Sequence, residues 1–198
     1  MGFYDEEKTA REYIAMADGY DGRELIAVLS EYLPKGATVL EIGMGPGTDL
    51  DILGQQYGAT GSDNSSFFVD LYRQSRPNAD VLILDAVTLK TDRTFDCIYS
   101  NKVLHHLSEG DLPRSLERQS HLLNDGGYVL HSFWAGSGEE EMHGLKFVYR
   151  SEAQIRAGFE KVFDVVSIVT YEELALDDSI YVLARSKKCT PEDPERGC

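Results

Sequence analysis

The chain contains no run of about 18 apolar residues, the length a membrane-crossing helix requires. Its opening, MGFYDEEKTAREY, has no basic stretch followed by an apolar one, so no export signal is expected. Gly2 stands where a myristoylation site begins, but Glu6 holds the position that motif reserves for Ser or Thr. Cysteine is scarce. Cys97, Cys189 and Cys198 show no CxxC or Cys/His spacing, so no metal site is expected, and their odd number fits a reducing cytoplasm. Basic residues are outnumbered, with 19 Lys and Arg against 34 Asp and Glu and a net charge of −15. Such a balance repels nucleic acid unless a local basic cluster reverses it. None is visible, so neither a nucleic-acid nor a membrane partner is expected.

What the chain does have is a length of 198 residues, enough for one domain with its own core. Residues 1–34 read as an N-terminal helical arm followed by a helix that Asp21 caps and Pro34 stops. ATVLEI, GATGSD, ADVLILD, FDCIYS and YVLHSFW read as strands. The segments 47–57, SSFFVDLYRQS and DLPRSLERQSHLL read as helices between them, and NDGG as the turn before the fifth strand. This alternation predicts a doubly wound α/β fold with a mostly parallel sheet. The last two strands, KVFDVVSIVTYEE and DSIYVLARSK, are joined only by LALDD. No crossover helix fits there, so an antiparallel edge hairpin is expected. Residues 134–150 read as a lid insert and 189–198 as a disordered tail, leaving 1–188 as a single domain.

The chemistry concentrates in VLEIGMGPGTDL, where Gly43, Gly45 and Gly47 follow a strand at alternate positions. A dinucleotide fingerprint spaces its glycines GxGxxG, and its last glycine would fall on Thr48. Glu41, two residues before the first glycine, suits a cationic group better than a pyrophosphate at a helix N-terminus. Asp63 and Asp85 close the next two strands, so all three acids are expected on the carboxyl rim, where ligands of open sheets bind. A carboxylate at the second strand accepts both hydroxyls of a ribose, and Asp85 with Ala86 would face an adenine.

These pieces, with LLNDGGYVL and FDCIYSNKVLHHL, resemble the class I S-adenosylmethionine-dependent methyltransferases of the small-molecule type. The resemblance covers roughly residues 35–135. It implies a Rossmann-like, doubly wound seven-stranded sheet of order 3-2-1-4-5-7-6 with strand 7 antiparallel. It implies S-adenosylmethionine as cofactor and a small-molecule acceptor. By the same resemblance the loop of Gly43, Met44, Gly45 and Gly47 passes under the methionine part, and Glu41 helps to hold its amino group. Asp63 would bind the ribose and Asn64 would lie beside the adenine, which Asp85 and Ala86 would face. Ser100 and Asn101 would lie near the methionine, with Val103 or His105 below the ring, and Tyr13 would close over the carboxylate. Met44 and the absence of a proline after Asp63 depart from the usual family pattern.

A sulfonium already activates its methyl group, so alignment and exclusion of water are the main protein tasks. A base is needed only if the acceptor must lose a proton, and His105 or His106 are the candidates. Neighbouring helical residues diverge by about 100°, so the two histidines do not share one role. His143 lies in the expected lid, and His131 has no assigned role. Trp134, Phe147 and Tyr149 would pack an apolar acceptor, Lys146 and Arg150 an anionic one. Two alternatives use a similar fold: a non-catalytic scaffold that binds the cofactor, and a nicotinamide-dependent oxidoreductase, against which Thr48 and Glu41 both weigh. Aminopropyl transfer from the decarboxylated cofactor is a further option.

Overall fold

A computed structural model of the chain describes Tyr4, residues 6–142 and residues 144–187. His143, Gly2, Cys189, Cys198 and the expected tail lie outside the described residues.

Five parallel strands form the centre: β1 (Thr38–Ile42), β2 (Gly58–Asp63), β3 (Val81–Ile83), β4 (Phe95–Ser100) and β5 (Leu123–Trp134). A hairpin, β6 (Glu139–Met142) with β7 (Leu145–Val148), stands apart as its own two-stranded sheet. β8 (Phe163–Tyr171) and β9 (Ser179–Ser186) complete the large sheet, whose order is β3-β2-β1-β4-β5-β9-β8. β9 runs antiparallel to both of its neighbours. Counting only the strands of this sheet, that is the expected 3-2-1-4-5-7-6 with the seventh strand reversed.

Successive side chains of a strand face opposite sides, and the core divides accordingly. Leu40, Ile42, Ile98, Val129, Val182 and Ala184 pack with Leu112 and Leu116 of α5 (Asp111–Leu122) and Ile155 and Phe159 of α6 (Glu152–Phe159). Val39, Cys97, Tyr99, Leu130 and Leu183 face the other way, against α2 (Arg23–Leu29) and α3 (Thr48–Leu53). α4 (Ser66–Ser75) is capped by Ser65 and packs Val69 and Tyr72 on Met44 and Leu50. α1 (Glu7–Met16) is the expected arm.

Several local expectations need correction. Gly22, not Asp21, is the N-cap of α2, although Asp21 Oδ1 still accepts from Arg23 N–H at 3.0 Å. α3 stops at Leu53, with Gly54 as its C-cap, four residues short of Tyr57. NDGG is a bulge inside β5 and not a turn before it: Phe95 pairs with Leu123 and Cys97 with Tyr128, so the extra residues are absorbed between them. Apart from these, the insert 134–150, expected as a lid, carries the β6–β7 hairpin, closed at its base by a bridge between Ala135 and Arg150.

Candidate active site

β1 delivers Glu41 to the carboxyl rim, and the glycine loop turns the chain into α3. Gly43, Gly45 and Gly47 all have positive φ, at 70°, 50° and 91°. Side chains are excluded from two of these positions by contact as well as by φ. A Cβ on Gly43 would come within 2.5 Å of Val103 Cγ2, and one on Gly47 within 2.2 Å of the Tyr72 ring. Met44 is buried, with Leu50 and Val69, in the core beneath the loop. Glu41 is 3% exposed, and its Oε2 has no hydrogen-bond partner. Burial first, then the nearby Asp49, Asp63 and Asp51, raise its carboxyl well above the usual range. A buried acid surrounded by other acids is a place for a cation.

Asp63 ends β2 and is buried. Its Oδ2 accepts from Gly45 N–H and its Oδ1 from Ser65 N–H, each at 2.9 Å. The backbone thus fixes the carboxylate in place. Tyr13, from α1, comes over this point. A Cβ on Gly45 would stand 3.6 Å from Tyr13 Cε1. The Tyr13 hydroxyl is raised in pKa by burial first and then by Asp63, Asp49 and Glu41. Its ring packs against Tyr4 and Phe68 at 5.0 and 5.9 Å between centroids. Asn64 is exposed beside Asp63. Asp85 is exposed, and its Oδ1 accepts from Val87 and Thr88 N–H at 3.1 and 2.9 Å, capping its own turn. The structure thus brings Glu41, Asp63 and Tyr13 together with the glycine loop, whereas the Asp85 carboxylate is engaged locally.

At the end of β4 the side chains split. Ser100 is fully buried on the α5 face, with its Oγ 2.8 Å from His131 Nδ1. His131 Nε2 lies 2.8 Å from Gln119 Oε1. A carboxamide oxygen only accepts, so Nε2 carries the ring proton and Ser100 donates to Nδ1. Gln119 Nε2 donates to Ser115 Oγ at 3.1 Å, and Ser115 Oγ to the Ala86 carbonyl at 2.6 Å. This buried chain ties the end of β4 to the turn after β3, and burial pulls the His131 pKa down to about 3. Asn101 turns the other way. Its Nδ2 donates to Asp49 Oδ2 at 3.2 Å, and its Oδ1 accepts from Ser132 Oγ at 2.6 Å.

Asp49 is the residue that sequence reasoning passed over. It is buried in the first turn of α3 and accepts from Gly22 N–H at 2.7 Å and Tyr99 Oη at 2.8 Å, besides Asn101. It joins α2, β4 and the glycine loop in one junction. An acid in a first helical turn reads in sequence only as a complement to the helix dipole.

Lys102 has φ 53°, a left-handed conformation. Its Nζ donates to Ser179 Oγ at 2.6 Å and Phe133 O at 3.2 Å, pairs with Glu173 at 3.0 Å, and sits 3.6 Å from the Trp134 ring centroid. Burial lowers its pKa, and the Glu173 carboxylate opposes that shift. The 3-10 turn Leu104–His106 follows. His106 Nδ1 donates to Lys146 O at 2.7 Å, fastening the β6–β7 hairpin. The buried His105 ring stacks on Phe147, centroids 5.1 Å apart and planes 19° apart. Arg150 is buried and donates to the carbonyls of Leu107 at 2.7 Å and Leu104 at 3.4 Å, bracing the same turn. A surface cavity of about 350 Å³ between α3 and α4, lined by Leu50, Tyr72, Arg76 and Asp80 among others, lies away from this rim.

The rim is therefore polarised. Carboxylates gather where β1 and β2 end, and cationic and imidazole groups where β4 and β5 end. Among the described residues no group of three or more His, Cys, Asp or Glu could hold a metal ion, and no helix is long and apolar enough to cross a membrane.

Comparison with known proteins gives the following. A family model described as a methyltransferase domain matches residues 10–175. The chain is 33% identical over 117 residues to a tRNA (carboxymethyluridine(34)-5-O)-methyltransferase of Arabidopsis thaliana, covering 58% of this chain and 28% of that protein. It is 27% identical over 119 residues to dTDP-3-amino-3,6-dideoxy-alpha-D-glucopyranose N,N-dimethyltransferase of Streptomyces fradiae, covering 58% and 46%. The chain thus spans less than half the length of these curated relatives. Among solved structures, the 1,6-didemethyltoxoflavin-N1-methyltransferase of Burkholderia thailandensis, with its substrate and S-adenosylhomocysteine bound, superposes with a TM-score of 0.76. It is 21% identical and covers 90% of this chain and 83% of that one.

Proposed function

This chain belongs to the class I S-adenosylmethionine-dependent methyltransferases, as the family match over residues 10–175 and the strand order together require, and we propose that it methylates a small-molecule acceptor. The observation that carries the reading is the buried Glu41 carboxyl, whose Oε2 lacks a partner directly before the glycine loop. A buried acceptor left unmatched costs about 1–3 kcal/mol, and the cationic methionine end of the cofactor supplies the missing donor.

The remaining residues fit the same ligand. Asp63, held at the end of β2 by the Gly45 and Ser65 N–H groups, takes the ribose hydroxyls. Asn64 and Ala86 lie on the adenine side, with Asp85 shaping the turn there. Gly43, Met44, Gly45 and Gly47 give the methionine part an approach free of side chains, and Asn101 borders it. Tyr13 covers it and excludes water. When bound, the cofactor supplies a methyl group already activated by its sulfonium. The protein's tasks are then to align the acceptor and keep the site dry. Serial displacement through a covalent enzyme intermediate is not needed.

Charge selects the acceptor class. A net charge of −15 repels a polyanion, although one relative is a tRNA methyltransferase. The likeness to enzymes whose names specify an aminosugar and a toxoflavin precursor supports a small molecule. Calorimetric titration with S-adenosylmethionine and S-adenosylhomocysteine tests the cofactor reading, which fails if neither binds. A methyl-transfer screen against metabolites and against bulk tRNA tests the acceptor, and transfer to tRNA alone would overturn the small-molecule reading.

A further inference from the structure

Like Glu41 Oε2, the ring nitrogens of His105 are buried without a hydrogen-bond partner. The residue is 2% exposed. Burying a donor and an acceptor unmet costs about 1–3 kcal/mol each. A leucine at the same position would avoid that cost, so stability does not explain the histidine. Its neighbour His106 is in a different situation, with Nδ1 committed to the Lys146 carbonyl.

The groups around the ring narrow its partner. His106 faces it from the same turn, Lys102 from the end of β4, Arg150 from the segment after β7, and Phe147 lies flat against it. Around these groups Glu173 pairs with Lys102, Glu139 with Lys146, and Glu109 acts on Arg150, so among the described residues the charges that act on the imidazole itself are cationic. Burial and the cations hold the imidazole neutral, so one nitrogen keeps a free lone pair. The same cations repel an ammonium and favour negative charge growing on an oxygen.

We propose that His105 contacts the methyl acceptor and takes the proton of its hydroxyl, which makes the acceptor an alcohol or phenol. This rests on the methyl-transfer reading above. The acceptor oxygen forms the new bond to the methyl carbon, sulfur keeps the electron pair of the broken bond, and the hydroxyl proton passes to the free ring nitrogen of His105. The site loses the sulfonium charge as His105 becomes imidazolium, so its number of positive charges is unchanged. That balance is what makes a weakly basic, buried imidazole competent in this position.

The test uses the full chain, with histidine ring nitrogens labelled for NMR and the His105 signals assigned by their loss in His105→Gln. In the complex with S-adenosylhomocysteine, phenol and benzyl alcohol are expected to shift those signals, and toluene is not. With S-adenosylmethionine, H105Q is expected to lower kcat for the hydroxyl probes about 100-fold or more, with KM moving less than about threefold. Turnover of thiophenol, which is ionised at neutral pH, is expected to fall far less in H105Q than turnover of the hydroxyl probes. His105→Leu, which removes both unmet groups, should fold and melt no lower than the wild type while losing hydroxyl turnover. Unshifted His105 signals with every hydroxyl probe, or hydroxyl turnover by H105Q at the wild-type rate, overturns the proposal. A wild-type chain that binds neither form of the cofactor removes the methyl-transfer reading itself, and this inference with it.

Discussion

Replacing Glu41 by Gln keeps the shape of the side chain and removes its ability to ionise. In the free protein the Glu41 carboxyl is buried, lacks a partner at Oε2 and faces Asp49, Asp63 and Asp51, all of which favour the protonated form. A cationic ligand reverses that preference, so binding should be accompanied by proton release. A hydrogen bond to a charged group contributes about 1.5–3 kcal/mol, so E41Q should weaken cofactor binding about 10- to 150-fold. The free protein should respond in the opposite sense. A carboxyl whose pKa is raised in the folded state adds stability below its ordinary value of 4.5 and loses it as pH rises through the folded value. E41Q should therefore gain on the wild type in melting temperature as pH rises above the ordinary carboxyl value of 4.5. Titration calorimetry in buffers of different ionisation enthalpy measures the released protons, and differential scanning fluorimetry across pH measures the stability. A wild-type enthalpy independent of buffer, together with undiminished affinity in E41Q, would refute the reasoning.

Gly43→Ala puts a Cβ against Val103 at a left-handed φ, which alone costs about 1–2 kcal/mol. Its melting temperature should fall, and adding Val103→Ala should recover part of the loss; equal melting of single and double variants would contradict the contact. Lys102→Met removes the ion pair to Glu173, the ammonium donor to the Phe133 carbonyl and the cation over Trp134, a loss of about 2–3 kcal/mol or roughly 5–10 °C. An unchanged melting curve would show that the ammonium holds nothing together. His131 has its pKa lowered from 6.5 to about 3 by burial, so stability is full above 6.5 and falls as pH drops toward 3. By pH 5 the protonation of the unfolded chain costs roughly 2 kcal/mol. Urea unfolding at both pH values should show a smaller loss for His131→Gln, and parallel losses would count against the assignment.

The architecture was largely legible because it is written in local periodicity. The helix and strand segments alternate along the chain, and LALDD is too short for any connection but a hairpin. What escaped depends on partners distant in sequence. NDGG has turn composition, yet β5 is carried across it by pairing with β4, where Asn124 Nδ2 also donates to Asp96 Oδ1 at 2.8 Å. GEEEM has no strand pattern; β6 is held by its pairing with β7 and by contacts of Glu139 with Lys146 and Glu140 with Tyr149. In the site, the glycine loop and strand-end acids announce themselves by spacing. The junction at Asp49 does not, because Gly22, Tyr99 and Asn101 come from two other elements. Ser100 and Asn101 are adjacent in sequence, and strand alternation sends one toward α5 and the other toward α3.

The β6–β7 hairpin has a consequence for how such a protein diversifies. It shares no hydrogen-bonded strand with the seven-stranded sheet, and its two ends are already held together by the Ala135–Arg150 bridge. Lengthening a loop whose base is pinned costs only a few tenths of a kcal/mol for modest insertions, about 0.6 kcal/mol per doubling. The segment between those two residues can therefore grow while the Lys146 and Phe147 contacts, Glu41, Asp63 and the glycine loop are kept.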